Sequence, residues 1–136
     1  MPVVHAVVVA YNRRELLHDA LTAISEQSLV PDVVHVIDNA STDGTAEMVR
    51  EQFPDVRLHQ LSSNTGGAGG FAVGLAHALA DAAEWVWLMD DDTVPTHDAL
   101  QHLVAAQQDC PGRRPALVAS RVVWTDGKDH PMNTPR

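Results

Sequence analysis

Asp90, Asp91 and Asp92 stand together directly after the apolar run Trp85-Val86-Trp87-Leu88-Met89. That run reads as a buried strand, so three carboxylates fall at its carboxyl end. Like charges this close repel, and folding alone gives little reason to cluster them. A divalent cation removes the repulsion and supplies a docking point for phosphate oxygens. Asp90 and Asp92, spaced acid-x-acid, can share one ion from a turn, and their oxygen ligands select magnesium or manganese over zinc. Asp91 then contacts a sugar hydroxyl or holds the turn. The plainer alternative is a helix start, since acids favour helix N-termini and Thr96 precedes an apolar-periodic segment. That accounts for one acid, such as Asp98, but not for three ahead of Pro95.

Three further clusters carry possible chemistry. Asp38 ends an apolar run, where its carboxylate can accept a hydrogen bond from a nucleobase imide N–H, which selects uracil or thymine. The alternative is a capping role in the stretch Asp38-Asn39-Ala40-Ser41-Thr42-Asp43-Gly44, with Ser41 or Asp43 capping in either case. Tyr11, the one tyrosine of the chain, is placed to stack on a base, and Arg13 or Arg14 to meet a phosphate. The turn Asn64-Thr65-Gly66-Gly67-Ala68-Gly69-Gly70 lets backbone approach a diphosphate or sugar where a Cβ would clash. Gly67-x-Gly69-x-x-Ala72 also fits a dinucleotide fingerprint, with Asp90 at the expected distance. Against that reading, the turn follows the third strand rather than the first, and the acid arrives as a triplet.

The elements that position these clusters alternate. Residues 3–9 form a first strand, and Asn12 with Glu15 makes a capping-box start for a helix bearing Leu17, Ala20, Leu21 and Ile24. A second strand (33–37) precedes a helical stripe of Ala46, Val49 and Phe53 that Pro54 stops. A third strand (56–61) is less apolar and belongs nearer a sheet edge. After the glycine turn a helix carries Phe71, Leu75, Ala78, Leu79 and Ala82 on one side, then strand four spans 85–89. Thr96 caps a fourth helix with Leu100, Leu103 and Val104. Residues 116–119 and 121–125 are two further strand candidates, followed by a tight turn at Asp126-Gly127. The near-continuous apolar strands imply an α/β fold with a parallel sheet covered on both faces. In such sheets ligands sit beyond the carboxyl ends of the strands. Tyr11-Asn12-Arg13, Asp38-Asn39, the glycine turn and the three acids should therefore meet on one rim.

The 136 residues suit one domain with a real core, 45% hydrophobic and 20% charged. A formal charge of -9 argues against nucleic acid or an anionic membrane surface held by a basic patch, and leaves an anionic ligand in need of a bridging cation. Cys110 is the one cysteine, which excludes an internal disulfide and a thiolate cluster. The eight histidines, among them His5, His35, His59 and His77, read as scattered surface or strand residues without metal-ligand spacing. Residues 3–10 are too short and lack the basic leader of a signal peptide, and no run approaches a membrane span, so a cytoplasmic location is expected. The hairpin begun at residues 121–125 finds no second arm in Lys128 to Arg136, so a chain cut short of a second half is expected.

With these residues in hand, the chain resembles family 2 glycosyltransferases of the GT-A fold. The matching stretches are Val7-Val8-Val9-Ala10-Tyr11-Asn12-Arg13, Val36-Ile37-Asp38-Asn39-Ala40-Ser41-Thr42-Asp43-Gly44-Thr45, Asn64 to Phe71, and Trp87-Leu88-Met89-Asp90-Asp91-Asp92. The triple acid and the glycine turn look most like the galactofuranosyl- and rhamnosyltransferases of bacterial cell-wall assembly. The resemblance implies a Rossmann-like nucleotide-binding domain in which Tyr11 and Asp38 hold uracil or thymine and the glycine turn lines the donor site. It implies that Asp90 and Asp92 bind the manganese or magnesium bridging the diphosphate of a UDP- or dTDP-sugar. An acceptor hydroxyl of a saccharide or glycolipid would then attack the anomeric carbon with inversion. In the family the general base lies well downstream of the triple acid, so the chain matches the donor half, peripheral to the inner membrane face in the full-length protein. A nucleotidyltransferase is the competing enzyme class, but an early glycine-rich, basic triphosphate loop is missing. A non-catalytic nucleotide-binding module is the competing reading without turnover.

Overall fold

The structure, a computed structural model, describes residues 1–133. Four strands and four helices alternate: β1 (Val4–Ala10), α1 (Arg14–Ser25), β2 (Val33–Asp38), α2 (Thr45–Gln52), β3 (Arg57–Gln60), α3 (Gly66–Ala80), β4 (Trp85–Asp90) and α4 (Ala99–Asp109). The strands form one sheet of order β3-β2-β1-β4, every pairing parallel. The chain therefore steps outward from β1 to β3, then crosses back through α3 to place β4 on the far side of β1. The less apolar β3 takes one edge, as its composition implies.

Every residue of β1 is buried, because it has a strand on each side and helices on each face. Its alternation splits the core into two layers. Val8 and Ala10 pack with Leu17, Leu21 and Ile24 of α1 and Met48 and Val49 of α2. Val7 and Val9 face the other way, with Ile37, against Ala78, Phe71 and Val73 of α3. Leu100 and Val104 of α4 close over Val4 beside Trp85 and Trp87.

Helix starts differ from the expected ones. The glycine turn is not a loop: α3 begins at Gly66, so most of its glycines lie in the first helical turns. Gly70 and Gly74 bring this helix hard against the sheet. A Cβ on Gly70 would lie 2.6 Å from Val9 Cγ1, and one on Gly74 would lie 2.2 Å from Val7 Cγ1. The capping box at Asn12 does not form: Arg13 is the N-cap of α1, and Asn12 itself has φ 50. Thr96 does not cap α4 with its side chain either. Instead the buried Gln27 accepts from Leu100 N (3.1 Å) and donates to the Thr96 carbonyl (2.7 Å). At α1 and α4 a partner from a distant part of the chain, Asp43 and Gln27, has replaced the local cap.

Residues 116–119 and 121–125 are not strands. The turn at Asp126-Gly127 does form, with Trp124 N donating to the Lys128 carbonyl and a single antiparallel bridge from Val123 to Asp129. That bridge is a minimal second arm, shorter than a strand. The reading of the tail past residue 133 lies outside the described residues. Among the described residues no helix is long and apolar enough to cross a membrane.

The Gly74 contact yields a test. Gly74→Ala drives a methyl into Val7, and such overpacking typically costs about 1–3 kcal/mol. Urea denaturation should show that loss, and Val7→Ala in the same chain should restore part of it.

Candidate nucleotide-sugar site

The strand order reverses at β1, which the chain leaves toward β2 on one side and rejoins at β4 on the other; in such sheets the ligand crevice lies beyond the carboxyl ends at the reversal. The structure brings all four polar clusters to that rim and ties each to the next. Asp91 accepts from Tyr11 N (3.1 Å) with Oδ2 and faces Arg13 Nη1 at 3.5 Å with Oδ1. Arg13 Nη1 also donates to Asp92 Oδ2 at 2.8 Å. Asn12 N donates to Ser41 Oγ, and Asn12 Oδ1 accepts from Thr42 N at 2.8 Å. Asn39 Oδ1 accepts from Thr65 N and Thr65 Oγ1, while Asn39 Nδ2 donates to the Gly66 carbonyl. The bonds run from the β4 acids through residues 11–13 and 38–44 to the start of α3.

Asp43 does the most to join two elements. Its Oδ2 accepts from Arg14 N at the start of α1, and its Oδ1 accepts from Thr45 N and Thr45 Oγ1 at the start of α2. Burial would raise this carboxyl, but the bonds from Thr45 and Arg14 outweigh it and hold it below its ordinary 3.8. Gly44 rather than Ser41 or Asp43 is the N-cap of α2; Asp43 bonds the first helical residue from one position further out, and its second role at α1 was not visible in sequence. Asn39 was likewise missed as a clamp on the glycine helix; its one signal was a polar residue directly following a buried strand.

The acids of the triplet fall into different environments. Asp91 is buried, and burial raises its carboxyl above the usual range, with Asp92 and Asp90 adding to the rise while Tyr11 N and Arg13 oppose it. Its carboxylate holds the loop after β1 rather than its own turn. Asp92 lies exposed beside Arg13, and Asp90 is exposed at the end of β4. The three carboxylates do not converge on one point. Magnesium and manganese do not need them to, because such ions are bound by one or two carboxylates with water and substrate phosphate completing the shell. Asp90 and Asp92 supply donors of that kind.

Asp38 is fully buried, and its Oδ1 accepts from Ser41 N at 3.0 Å. Its Oδ2 is buried with no hydrogen-bond partner among the described residues. An orphaned buried acceptor costs about 1–3 kcal/mol, so it calls for a donor. Next to it Ala40 has φ 64, a left-handed conformation that is strained for a residue with a side chain. Tyr11 is 46% exposed on the same rim. Gly66 and Gly67 border open space, in contrast to the packed Gly70 and Gly74, and Gly66 has φ 74. A Cβ on Gly69 would instead strike the Thr65 hydroxyl. Asn64 Oδ1 accepts from Gly66 N (2.8 Å) and so shapes the turn into α3.

The Asp43 clasp is measurable. Asp43→Ala should lower the unfolding free energy by about 1–2 kcal/mol near pH 7, as for a lost helix cap. The folded pKa of Asp43 lies below its unfolded value, so its contribution is present above 3.8 and is lost as pH falls below it. The gap between Asp43→Ala and the parent chain should therefore narrow in urea titrations run at about pH 3.

Known proteins resemble this chain in sequence and in fold. The chain is 48% identical over 93 residues to galactofuranosyltransferase GlfT1 of Mycolicibacterium smegmatis, a match covering 68% of this chain and 31% of that protein. Mannosyltransferase PcManGT from Pyrobaculum calidifontis, solved in complex with GDP-Man and Mn2+, superposes with a TM-score of 0.65 at 35% identity, over 76% of this chain and 31% of that one. TarS residues 1–349 of S. aureus in complex with UDP superposes at 0.68 with 25% identity, over 78% and 32%. The chain spans about a third of the length of these relatives. The model for "Glycosyl transferase family 2" matches residues 5–130, and a match over nearly the whole chain on this Rossmann-like GT-A sheet shows that the chain belongs to that family.

Proposed function

We propose that residues 1–136 form one domain, the donor-binding part of a glycosyltransferase that takes a UDP- or dTDP-sugar. The unpartnered Asp38 Oδ2 carries the reading. Uracil and thymine each present one imide N–H, the donor this buried acceptor lacks, whereas cytosine presents an acceptor at the same ring position. Tyr11 offers an exposed face on which the base stacks. Arg13 and the backbone of Asn12, Asn64, Gly66, Gly67 and Gly69 border the space for ribose, diphosphate and sugar, and Asp91 holds Tyr11 and Arg13 in place.

Asp90 and Asp92 would hold a manganese or magnesium ion. When bound, that ion neutralises charge on the departing diphosphate. With a net charge of -9, the chain offers little else to do so. Support comes from PcManGT, solved with GDP-Man and Mn2+, and from TarS, solved with UDP. In the whole enzyme an acceptor hydroxyl of a saccharide or glycolipid attacks the anomeric carbon with inversion, using a base outside the residues identified above. The 48% identity to a galactofuranosyltransferase supports the transferase part of this reading; the role proposed with it is in cell-wall polysaccharide assembly at the cytoplasmic face of the membrane.

Calorimetric titration tests both parts. UDP or dTDP should bind with manganese present, and Asp92→Ala should weaken this at least tenfold, about 1.4 kcal/mol. Asp38→Asn keeps an oxygen for Ser41 N but turns the orphan acceptor into a donor. It should weaken UDP at least tenfold while CDP binding is retained or improves. Absence of heat with both UDP and dTDP, in a folded chain with manganese, overturns the proposal.

A further inference from the structure

The α3 face of the sheet carries a second cluster, which starts at the end of β1 opposite the rim. His5 of β1, His35 of β2 and His59 of β3 all face the α3 side, although they are far apart in sequence. His5 Nδ1 and His35 Nε2 share a hydrogen bond at 3.1 Å, and His35 Nδ1 and His59 Nε2 share another at 3.1 Å. His77 of α3 stacks on His59 with ring centroids 3.8 Å apart. His5 and His35 are buried. Asp81, the C-cap of α3, sits beside them with an ion pair to Arg57. One oxygen of Asp81 and one nitrogen each of His5 and His35 lie within 4.8 Å of one another. Among the described residues this is the one group of three metal-capable side chains that converges in this way.

We propose that His5, His35 and Asp81 form a site for a borderline transition-metal ion of the zinc, cobalt(II) or nickel class, separate from the nucleotide rim. Two imidazole nitrogens bound to one tetrahedral zinc, at 2.0–2.1 Å each, stand about 3.3 Å apart. The His5–His35 pair is already at nearly that separation. The ion takes the place of the proton between them, and that proton moves to the other nitrogen of its own ring. Both rings then stay neutral, with N–H at Nε2 of His5 and Nδ1 of His35. His59 Nε2 accepts from the latter, the outer-shell bond that orients a metal-bound histidine. Asp81 closes in on the ion to reach ligand spacing, which its exposed side chain allows by releasing Arg57. The carbonyl end of α3 adds a favourable field for a cation. Nitrogen donors with one carboxylate disfavour magnesium and manganese, whereas the all-oxygen rim prefers them. The two sites are therefore separable by metal. They are also separate in space, since the five residues from His5 to Ala10 span roughly 16 Å of strand.

The test is to add cobalt(II) to the metal-free chain and follow its visible d–d bands, then displace it with zinc. One equivalent should bind with the intense bands of a four-coordinate site. Zinc should shift the ring 15N signals of His5 Nδ1 and His35 Nε2 in NMR spectra. Asp81→Asn, at an exposed position that leaves the core intact, should weaken binding at least tenfold. Asp90→Asn with Asp92→Asn should leave the bands unchanged. The proposal is overturned by absence of binding at 100-fold excess cobalt(II), by bands that survive Asp81→Asn undiminished, by loss of the bands in the rim variant, or by ring shifts confined to His97, His102 and His130.

Discussion

The reversal of strand order at β1 is the constraint on which the rest of the structure depends. A strand with parallel neighbours on both edges and helices on both faces must be apolar throughout, and β1 is buried along its whole length. Its two faces then dictate the layers: α1 and α2 over Val8, α3 over Val7 and Val9. Because chain leaves β1 toward β2 on one side and reaches β4 on the other, no crossover helix covers the gap at their carboxyl ends. That gap is the rim. Its loops cannot be buried under a helix, so they are held by side chains reaching across from one loop to another.

This explains why so many polar residues on the rim are occupied with structure. Asn12, Asn39, Asp43 and Asp91 each bond backbone groups of a different element. They satisfy donors that short loops at a sheet end would otherwise leave without partners. Such residues fix the loops and leave a few groups uncommitted to the fold. The orphan buried Asp38 Oδ2, the exposed Tyr11 ring, the exposed Asp90 and the exposed Asp92 beside Arg13 are what is left over. Strain at Ala40 and the left-handed Asn12 mark the same positions, as expected where backbone geometry serves a site rather than the fold.

Much of this was legible in the residues themselves, and what was not has a physical reason. β1, β2 and β4 could be read because buried parallel strands are continuous apolar runs. The rim followed from the polar residues at their carboxyl ends. The start of α3 was misread because glycine favours turns. Its glycines serve instead to bring a helix close to Val7 and Val9, a requirement set by the sheet and not by the segment. The caps of α1 and α4 were misassigned because Asp43 and Gln27 lie 29 and 73 residues from the N–H groups they accept. Local pattern cannot report partners that only the fold brings near. The candidate strands after α4 failed similarly, having sequence propensity but no neighbour to pair with beyond one bridge.

The histidines are the clearest case of information held in register. His5 lies opposite Val33, His35 lies opposite Val7 and Arg57, and His59 lies opposite Ile37. The ladder is thus diagonal and invisible until the strands are aligned. Burying imidazoles against α3 is unfavourable unless their nitrogens are satisfied. The three rings meet that need by bonding one another, and each such bond needs one bare nitrogen to accept. Burial, followed by repulsion from His59, His5 and Arg57, lowers His35 to about 4, and burial with His77 and Arg57 lowers His59 as well. A one-residue slip of any strand would turn its histidine to the opposite face and orphan its neighbours. The apolar runs Val7-Val8-Val9 and Val36-Ile37 resist such a slip by shape, as where Val7 and Val9 meet Gly74 and Gly70. The ladder adds a polar penalty for misalignment to that of the core, in the register that sets Ala10 beside Asp38 at the rim.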